Sequence, residues 1–520
     1  MTKVSHRQVW IFAILLSLVP SVAFATDGAT GNNLITTIDK LFAQVAKAIF
    51  SVLFFEMLGS PLIVLWLIVA ALFFTIRMGF VNIRMFKHAV EIVQGKHDTE
   101  GAAGELTHFQ ALAAALSATV GLGNIAGVAV AIMLGGPGAT FWMTIGGFLG
   151  MTSKFVECTL GQKYRVVRPD GSVAGGAMYY LSRGLREIGL EPLGKVLAGI
   201  FALFCIFGAY GGANLFQANQ SYGAVKQVFP FLPAWLYGVI LAVLVGVVII
   251  GGIRRIGNVA DKLVPIMCII YVIAALWILL VNFTRIPSAI GTIITEAFTP
   301  RAAITGGIIA VIVQGFRRST FSNEAGIGSA AIAHSAARTD KPIKEGLVAL
   351  LEPFIDTIVI CNMTALVIVI TGVYDPANFQ ATNPELASQL TQFIADKQGA
   401  SLTGAAFGTV LSWFPTVLAI SVFLFAYSTM ISWSYYGEKA WDYLFGTSSI
   451  IVYRVLFVIT CVIGSISNPT SVIDFTDATF LAMAFPNLLG CYLLSNKVAA
   501  DLQDYQAYIR QKDQKITSGL

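Results

Sequence analysis

The chain has 520 residues, of which 56% are hydrophobic and 12% charged, with a mean hydropathy of +0.76. Apolar content at that level exceeds what a soluble domain carries and points to an integral membrane protein. A net charge of +5 would suit nucleic acid in a soluble chain, but here Lys and Arg lie between apolar segments, as membrane orientation requires. The six Cys residues form no CxxC pair and no Cys/His cluster at ligand spacing, which argues against disulfides and structural zinc.

Residues 1–25 read as a cleaved secretory signal: Lys3 to Arg7, then the apolar run Val9 to Leu18, then Ala23-Phe24-Ala25. Residues 26–60 form an external segment in which Ile38, Leu41, Phe42, Val45, Ala48 and Ile49 recur at helical spacing, which predicts an amphipathic surface helix. Eleven spans follow, at about 61–80, 110–134, 139–160, 197–228, 234–252, 263–282, 303–334, 345–371, 406–436, 448–467 and 474–494. The loops at 81–109, 161–196, 253–262 and 335–344 and the tail at 495–520 are basic. The 372–405 loop instead carries Asp375, Glu385 and Asp396 against Lys397. Basic loops stay in the cytoplasm, so the C-terminus is cytoplasmic. With a secretory signal, this predicts a multi-pass protein of a bacterial inner membrane.

The span at 61–80 stands alone. The other ten divide into five at 110–282 and five at 303–494, and an odd number per half inverts the second half in the membrane. Each half opens with a segment interrupted by the same pattern, Asn124-Ile125-Ala126-Gly127 and Asn323-Glu324-Ala325-Gly326. A broken membrane helix frees N–H and C=O groups that no water can satisfy, so the break must face protein, a cavity or a ligand. Matching breaks in two halves mark the midplane site of a secondary transporter.

The half-helix beginning near Asn124 aims its free amides and positive dipole end at the midplane, which suits a carboxylate. Gly121 and Gly123 let the backbone approach a ligand closely. Carbonyls from Ser117 to Val120 suit a cation or an ammonium, and Ser319, Thr320, Phe321, Ser322 and Asn323 add oxygens and an aromatic face at the same depth. An amino acid satisfies both breaks at once. In the segment 406–436, Ser428 and Ser432 share one helix face and Thr429 and Trp433 the next. Their oxygens suit sodium, while Ser and Thr in membrane helices also commonly bond back to their own backbone.

The stretches Ala118 to Gly127, Gly175 to Tyr180, Gln314 to Arg318, Phe321 to Ala330 and Ala333-His334 resemble the sodium:alanine (or glycine) symporter family over about residues 60–500. That family is similar in fold to the leucine transporter superfamily. The resemblance implies an all-α membrane protein with eleven transmembrane helices, a peripheral span plus a five-plus-five inverted-repeat core with two broken helices. It also implies that the alanine carboxylate meets Gly121, Leu122, Gly123 and Asn124, and that the amino group meets Thr119 and carbonyls near Phe321 and Ser322. Gln217 reaches the ligand in this reading, while Phe321, Thr429 and Trp433 enclose the methyl group. Sodium, the coupling ion, lies between Ser117, Val120, Ser428 and Thr429, with a second sodium site involving Asn124. No other cofactor and no nucleic acid is implied; the partners are alanine or glycine, sodium and the bilayer.

Four further groups have two readings each. Glu324 is a functional candidate at membrane depth, or is neutralised by Arg317 or Arg318, or caps the half-helix that follows. His334 is a proton relay or a packing residue. Glu352 and Asp356, four apart, bind a cation or pair with basic side chains; Glu157 and Lys154 read as a helix-end pair. A proton-coupled carrier of the same fold, using Glu324 and His334, is the alternative. An enzyme is not expected, since no HExxH or GxSxG motif is present.

Overall fold

The computed structural model describes residues 29–517, apart from 54, 58–59, 100, 170, 301–305 and 412. The expected signal at 1–25 lies outside the described residues. The expected amphipathic helix forms as α1 (Ala29–Leu53), followed by a short hairpin of β1 (Glu56–Met57) and β2 (Ser60–Pro61) that leads into α2 (Leu62–Arg77) and α3 (Phe86–Val93). Thr107 and Gln110 cap each other's backbone at the start of α4 (His108–Thr119), a reciprocal arrangement that satisfies two orphan amides. A wide turn at Gly123–Gly127 separates α4 from α5 (Val128–Gly135), and the chain bends by 50° there.

Next comes α6 (Ala139–Lys163), then a hairpin of β3 (Val166–Val167) and β4 (Val173–Ala174). Helices α7 (Glu191–Tyr210) and α8 (Phe216–Val228) are joined by a wide turn at Gly211–Leu215 and followed by α9 (Ala234–Ile249), α10 (Gly252–Val281) and α11 (Ile286–Phe298). The second interruption separates α12 (Gly307–Asn323) from α13 (Ala330–His334). After α14 (Pro342–Ala349) the chain passes through a wide-turn segment, Phe354–Cys361, into α15 (Asn362–Thr371). Helices α16 (Pro384–Ala395), α17 (Gly399–Gly408), α18 (Phe414–Phe445), α19 (Ile450–Ile466) and α20 (Pro469–Thr517) complete it.

Glycines on α6 position the second interruption. A methyl group at Gly146 would lie 2.8 Å from Ser319 Oγ, one at Gly147 2.8 Å from Thr357 Cγ2, and one at Gly150 2.8 Å from Ala325 Cβ. Small residues of this kind let membrane helices pack backbone against backbone. α12 and the 354–361 turn therefore seat directly on α6.

The structure departs from the sequence reading in several places. Among the described residues, six helices are long and apolar enough to cross a membrane, or seven when the bent pair at 108–135 counts as one, against eleven expected. α2 and α9 are apolar but have 16 residues each; α12 stops at 17; and α6 holds Lys154 and Glu157 among Gly, Ser and Thr. The expected span at 406–436 begins at Phe414, because Pro415 occupies the first turn of α18, where its fixed φ starts a helix. α17, Gly399–Gly408, forms across the boundary between the expected 372–405 loop and that span. α11 lies outside the expected spans, α10 starts well before 263, and α20 runs on through the tail to Thr517.

Two ends of the bundle can be told apart. One gathers the basic loops: His88 with Tyr505 (2.9 Å), Lys163 with Asp501 (2.6 Å), and Lys344 with the carbonyl of His97 (2.9 Å). The other holds α1, α16 and α17, where the Asn468 amide donates to Asp39 (3.3 Å).

Candidate functional site

At the first interruption, glycine makes room for two other helices. A methyl group at Gly121 would sit 2.3 Å from Thr429 Oγ1, and one at Gly123 3.0 Å from Ser322 Cα. The break thus touches α18 on one side and α12 on the other. Its freed amides are not left open: Gly121 N–H donates to Asn124 Oδ1 (2.9 Å) and Leu122 N–H to Gln217 Oε1 (3.2 Å). Gln217 therefore meets the break directly. Two of the four amides expected to hold a carboxylate are thus held by side-chain carbonyls.

The second interruption is made by backbone handedness. Glu324 has φ 59°, and Gly326 and Gly328 have φ of 91° and 81°. Glycine adopts these values freely, whereas a left-handed Glu costs about 1–2 kcal/mol and must be held in place. Its carboxylate accepts from Trp433 Nε1 (2.6 Å) and from the Ser329 hydroxyl. Neither Arg317 nor Arg318 neutralises it, contrary to one sequence reading; both pair with Asp477 of α20. Asn323 braces the turn, donating to Ser319 Oγ (3.1 Å) and Thr357 Oγ1 (2.9 Å) while its own oxygen accepts from the Ala325 amide (2.9 Å).

An aromatic wall covers this region. The Phe321 ring lies 4.9 Å from Phe216 and 5.4 Å from Phe480, and Trp433 lies 4.7 Å from Phe480. Phe480 was not singled out from the sequence, where nothing distinguishes it from other phenylalanines. Thr429 Oγ1 and Ser432 Oγ are buried with no hydrogen-bond partner among the described residues, so each holds an unspent donor and acceptor beside the break. Thr119 differs: its hydroxyl bonds back to Ala115 O (3.2 Å) within α4.

The four residues proposed for sodium divide into a pair and two neighbours. Ser117 Oγ and Ser428 Oγ lie 2.7 Å apart, Ser117 Oγ donates to Ser428 O (3.0 Å), and Ser428 Oγ meets Ser117 O at 3.1 Å. Four oxygens thus converge between α4 and α18. Val120 ends α4 with ψ 82°, and Thr429 follows Ser428 over Gly121.

Asn124 Nδ2 donates to Asp356 Oδ1 (2.5 Å), and the hydroxyls of Ser322 (2.8 Å) and Thr357 (2.7 Å) donate to Asp356 Oδ2. One fully buried carboxylate therefore joins both interruptions, without a basic side chain in salt-bridge range among the described residues. The signal in the sequence was an acid in an apolar helix.

Glu352 follows the second of its two readings and pairs with basic groups: Lys154 Nζ lies 3.0 Å from its Oε2, and His334 Nε2 meets its Oε1. His334 Nδ1 lies 2.5 Å from Glu345 Oε1, and Glu345 Oε2 meets His108 Nδ1. Both ring nitrogens of His334 thus face carboxylates. The Lys154–Glu157 pair is not at a helix end. Both side chains are fully buried inside α6, and Glu157 Oε1 instead accepts from Asn487 Nδ2 (2.8 Å), which also donates to Gly326 O (2.8 Å).

A multi-pass helical protein that interrupts its own helices around buried polar groups has the build of a membrane carrier. Residues 43–518 match the sodium:alanine symporter family, and the chain belongs to that family. The sodium/alanine symporter AgcS of Methanococcus maripaludis is 40% identical, over 88% of this chain and 96% of its own length. The amino-acid carrier protein AlsT of Bacillus subtilis is 36% identical, over 86% and 89%. The protein is thus a transporter and not an enzyme.

Proposed function

We propose that the protein couples sodium entry to the uptake of alanine, and of glycine and similar small neutral amino acids, by alternating access across a bacterial inner membrane with its C-terminus inside. What chiefly supports this is the convergence of Gly121, Gln217 and Thr429 at the first interruption with Ser322 and Asp356 at the second. The amino acid carboxylate takes the Gly121 to Asn124 amides once the Asn124 and Gln217 oxygens withdraw. Its ammonium meets the carbonyls near Phe321 and Ser322 and the Thr119 hydroxyl, and its methyl group lies against Phe321, Thr429 and Trp433.

Sodium binds among Ser117, Val120, Ser428 and Thr429, where neutral oxygens offer the hard ligands it needs. A second sodium ion lies between Asn124, Ser322 and Asp356, where a carboxylate supplies the charge. Each sodium ion entering down the potential contributes about 2.3 kcal/mol per 100 mV. Occupation from outside favours the outward-facing arrangement, and opening inward requires release of the contacts at the basic end, where Glu345 joins His108 on α4 to His334 on α13.

The proton-coupled alternative finds its support in the His108, Glu345, His334, Glu352 and Lys154 chain. Uptake of labelled alanine into proteoliposomes, with sodium and proton gradients imposed separately, distinguishes the two. Sodium alone should drive accumulation; accumulation driven by protons in sodium-free buffer would replace this reading with the alternative.

Pocket size sets the substrate range. Trp433→Leu should admit larger side chains, so that leucine competes with labelled alanine roughly 10- to 200-fold better, the range a methylene or two is worth in an apolar pocket. Unaltered competition would remove Trp433 from the pocket wall.

A further inference from the structure

The basic end carries a cluster that the transport site does not use. His88 and Glu91 lie one turn apart on α3, and the turn that follows brings His97 back beside them. His88 Nδ1 and His97 Nε2 each lie 3.7 Å from the same oxygen, Glu91 Oε2, and the two rings are 4.4 Å apart between centroids. Those separations are too long for hydrogen bonds. They are close to the edge of a tetrahedron around an ion with bonds of about 2.0–2.1 Å, an edge of about 3.4 Å.

The supporting contacts are also in place. His88 Nε2 faces the Tyr505 hydroxyl of α20 at 2.9 Å, which leaves Nδ1 turned toward the cluster, as an outer partner does for a metal-bound imidazole. Lys344 holds the His97 carbonyl at 2.9 Å and so fixes the returning turn. The three side chains are 13%, 29% and 24% exposed, in the order His88, Glu91, His97. An ion can therefore reach them and keep a fourth position for water.

We infer that His88, Glu91 and His97 form a binding site for a divalent transition-metal ion of the zinc class. Two imidazoles and one carboxylate favour zinc or cobalt over magnesium or calcium, which prefer oxygen alone. Another convergent set, Cys158, His334 and Glu352, is fully buried, and its His and Glu are already bonded to each other while Glu352 also binds Lys154. A metal there would have to separate Glu352 from a buried lysine; at His88, Glu91 and His97 the long pairings are among the ligands themselves.

The test uses tag-free, full-length protein in detergent, titrated with zinc against a chelating dye and, separately, with cobalt read by its visible absorption. One ion per chain is expected. His97→Ala and His88→Ala should each weaken zinc binding about tenfold or more and remove the cobalt band, while Cys158→Ser leaves both unchanged. The thermal unfolding midpoint without metal reports that each variant is folded. Absence of stoichiometric zinc, unchanged affinity in both folded His variants, or loss of binding in Cys158→Ser would each overturn the site.

Discussion

Sodium-driven alanine uptake should fall by about 10- to 150-fold when Asp356 becomes asparagine, with the loss read mainly as a higher half-saturating sodium concentration. The carboxylate accepts from Asn124 on one oxygen and from the Ser322 and Thr357 hydroxyls on the other. Asparagine keeps the shape but turns one acceptor into an NH2 donor, which then faces another donor. A hydrogen bond to a charged group is worth about 1.5–3 kcal/mol, and the variant also lacks the negative charge that would attract a cation between the breaks. Initial rates in proteoliposomes over a range of sodium concentrations measure this. A normal rate at an unchanged half-saturating concentration would take Asp356 out of the ion site.

Lys154→Met should destabilise the folded protein by about 3–5 kcal/mol, the usual cost of leaving one member of a buried ion pair alone. Glu352 would keep His334 but lose its second counter-charge, in a place where both side chains are fully buried. Thermal unfolding in detergent should show the loss as a lower midpoint. Adding Glu352→Gln should recover part of it, because the stranded charge is then gone. A double variant no more stable than Lys154→Met would mean that the two side chains act independently.

The two interruptions were legible because the same Asn-x-Ala-Gly pattern recurs in two apolar segments, and helices break at Gly121 to Gly127 and after Asn323. Their partners were much less so. Asn124 meets Asp356 across 232 positions of chain, a distance over which spacing carries no information. Sequence proximity misled in two cases. Arg317 and Arg318 stand beside Glu324 in the chain, but the left-handed residue that ends α12 turns its carboxylate toward Trp433 while the arginines face Asp477. Lys154 and Glu157 share a helix face, yet in the interior each takes a partner from another helix: Glu352 for the lysine, Asn487 for the glutamate. α17 was not legible because eight of its ten residues are Gly, Ala, Ser or Thr, and Leu402 and Phe407 alone set no apolar period. Its place is set by contact, with Thr403 Oγ1 donating to Ile125 O (3.1 Å) and Gly399 pressed against Ala126.

The 49 residues of α20 make a rod about 74 Å long at 1.5 Å per residue, more than twice the thickness of a bilayer core. Phe475 near its start rests on α1, Asn487 holds the second interruption at Gly326, and Tyr505 near its end meets His88. Pro486 sits one residue before Asn487, where a missing amide leaves the rod free to flex. The contact with the second interruption thus lies beside a proline, between the rod's contact with α1 at one end of the bundle and with His88 at the other.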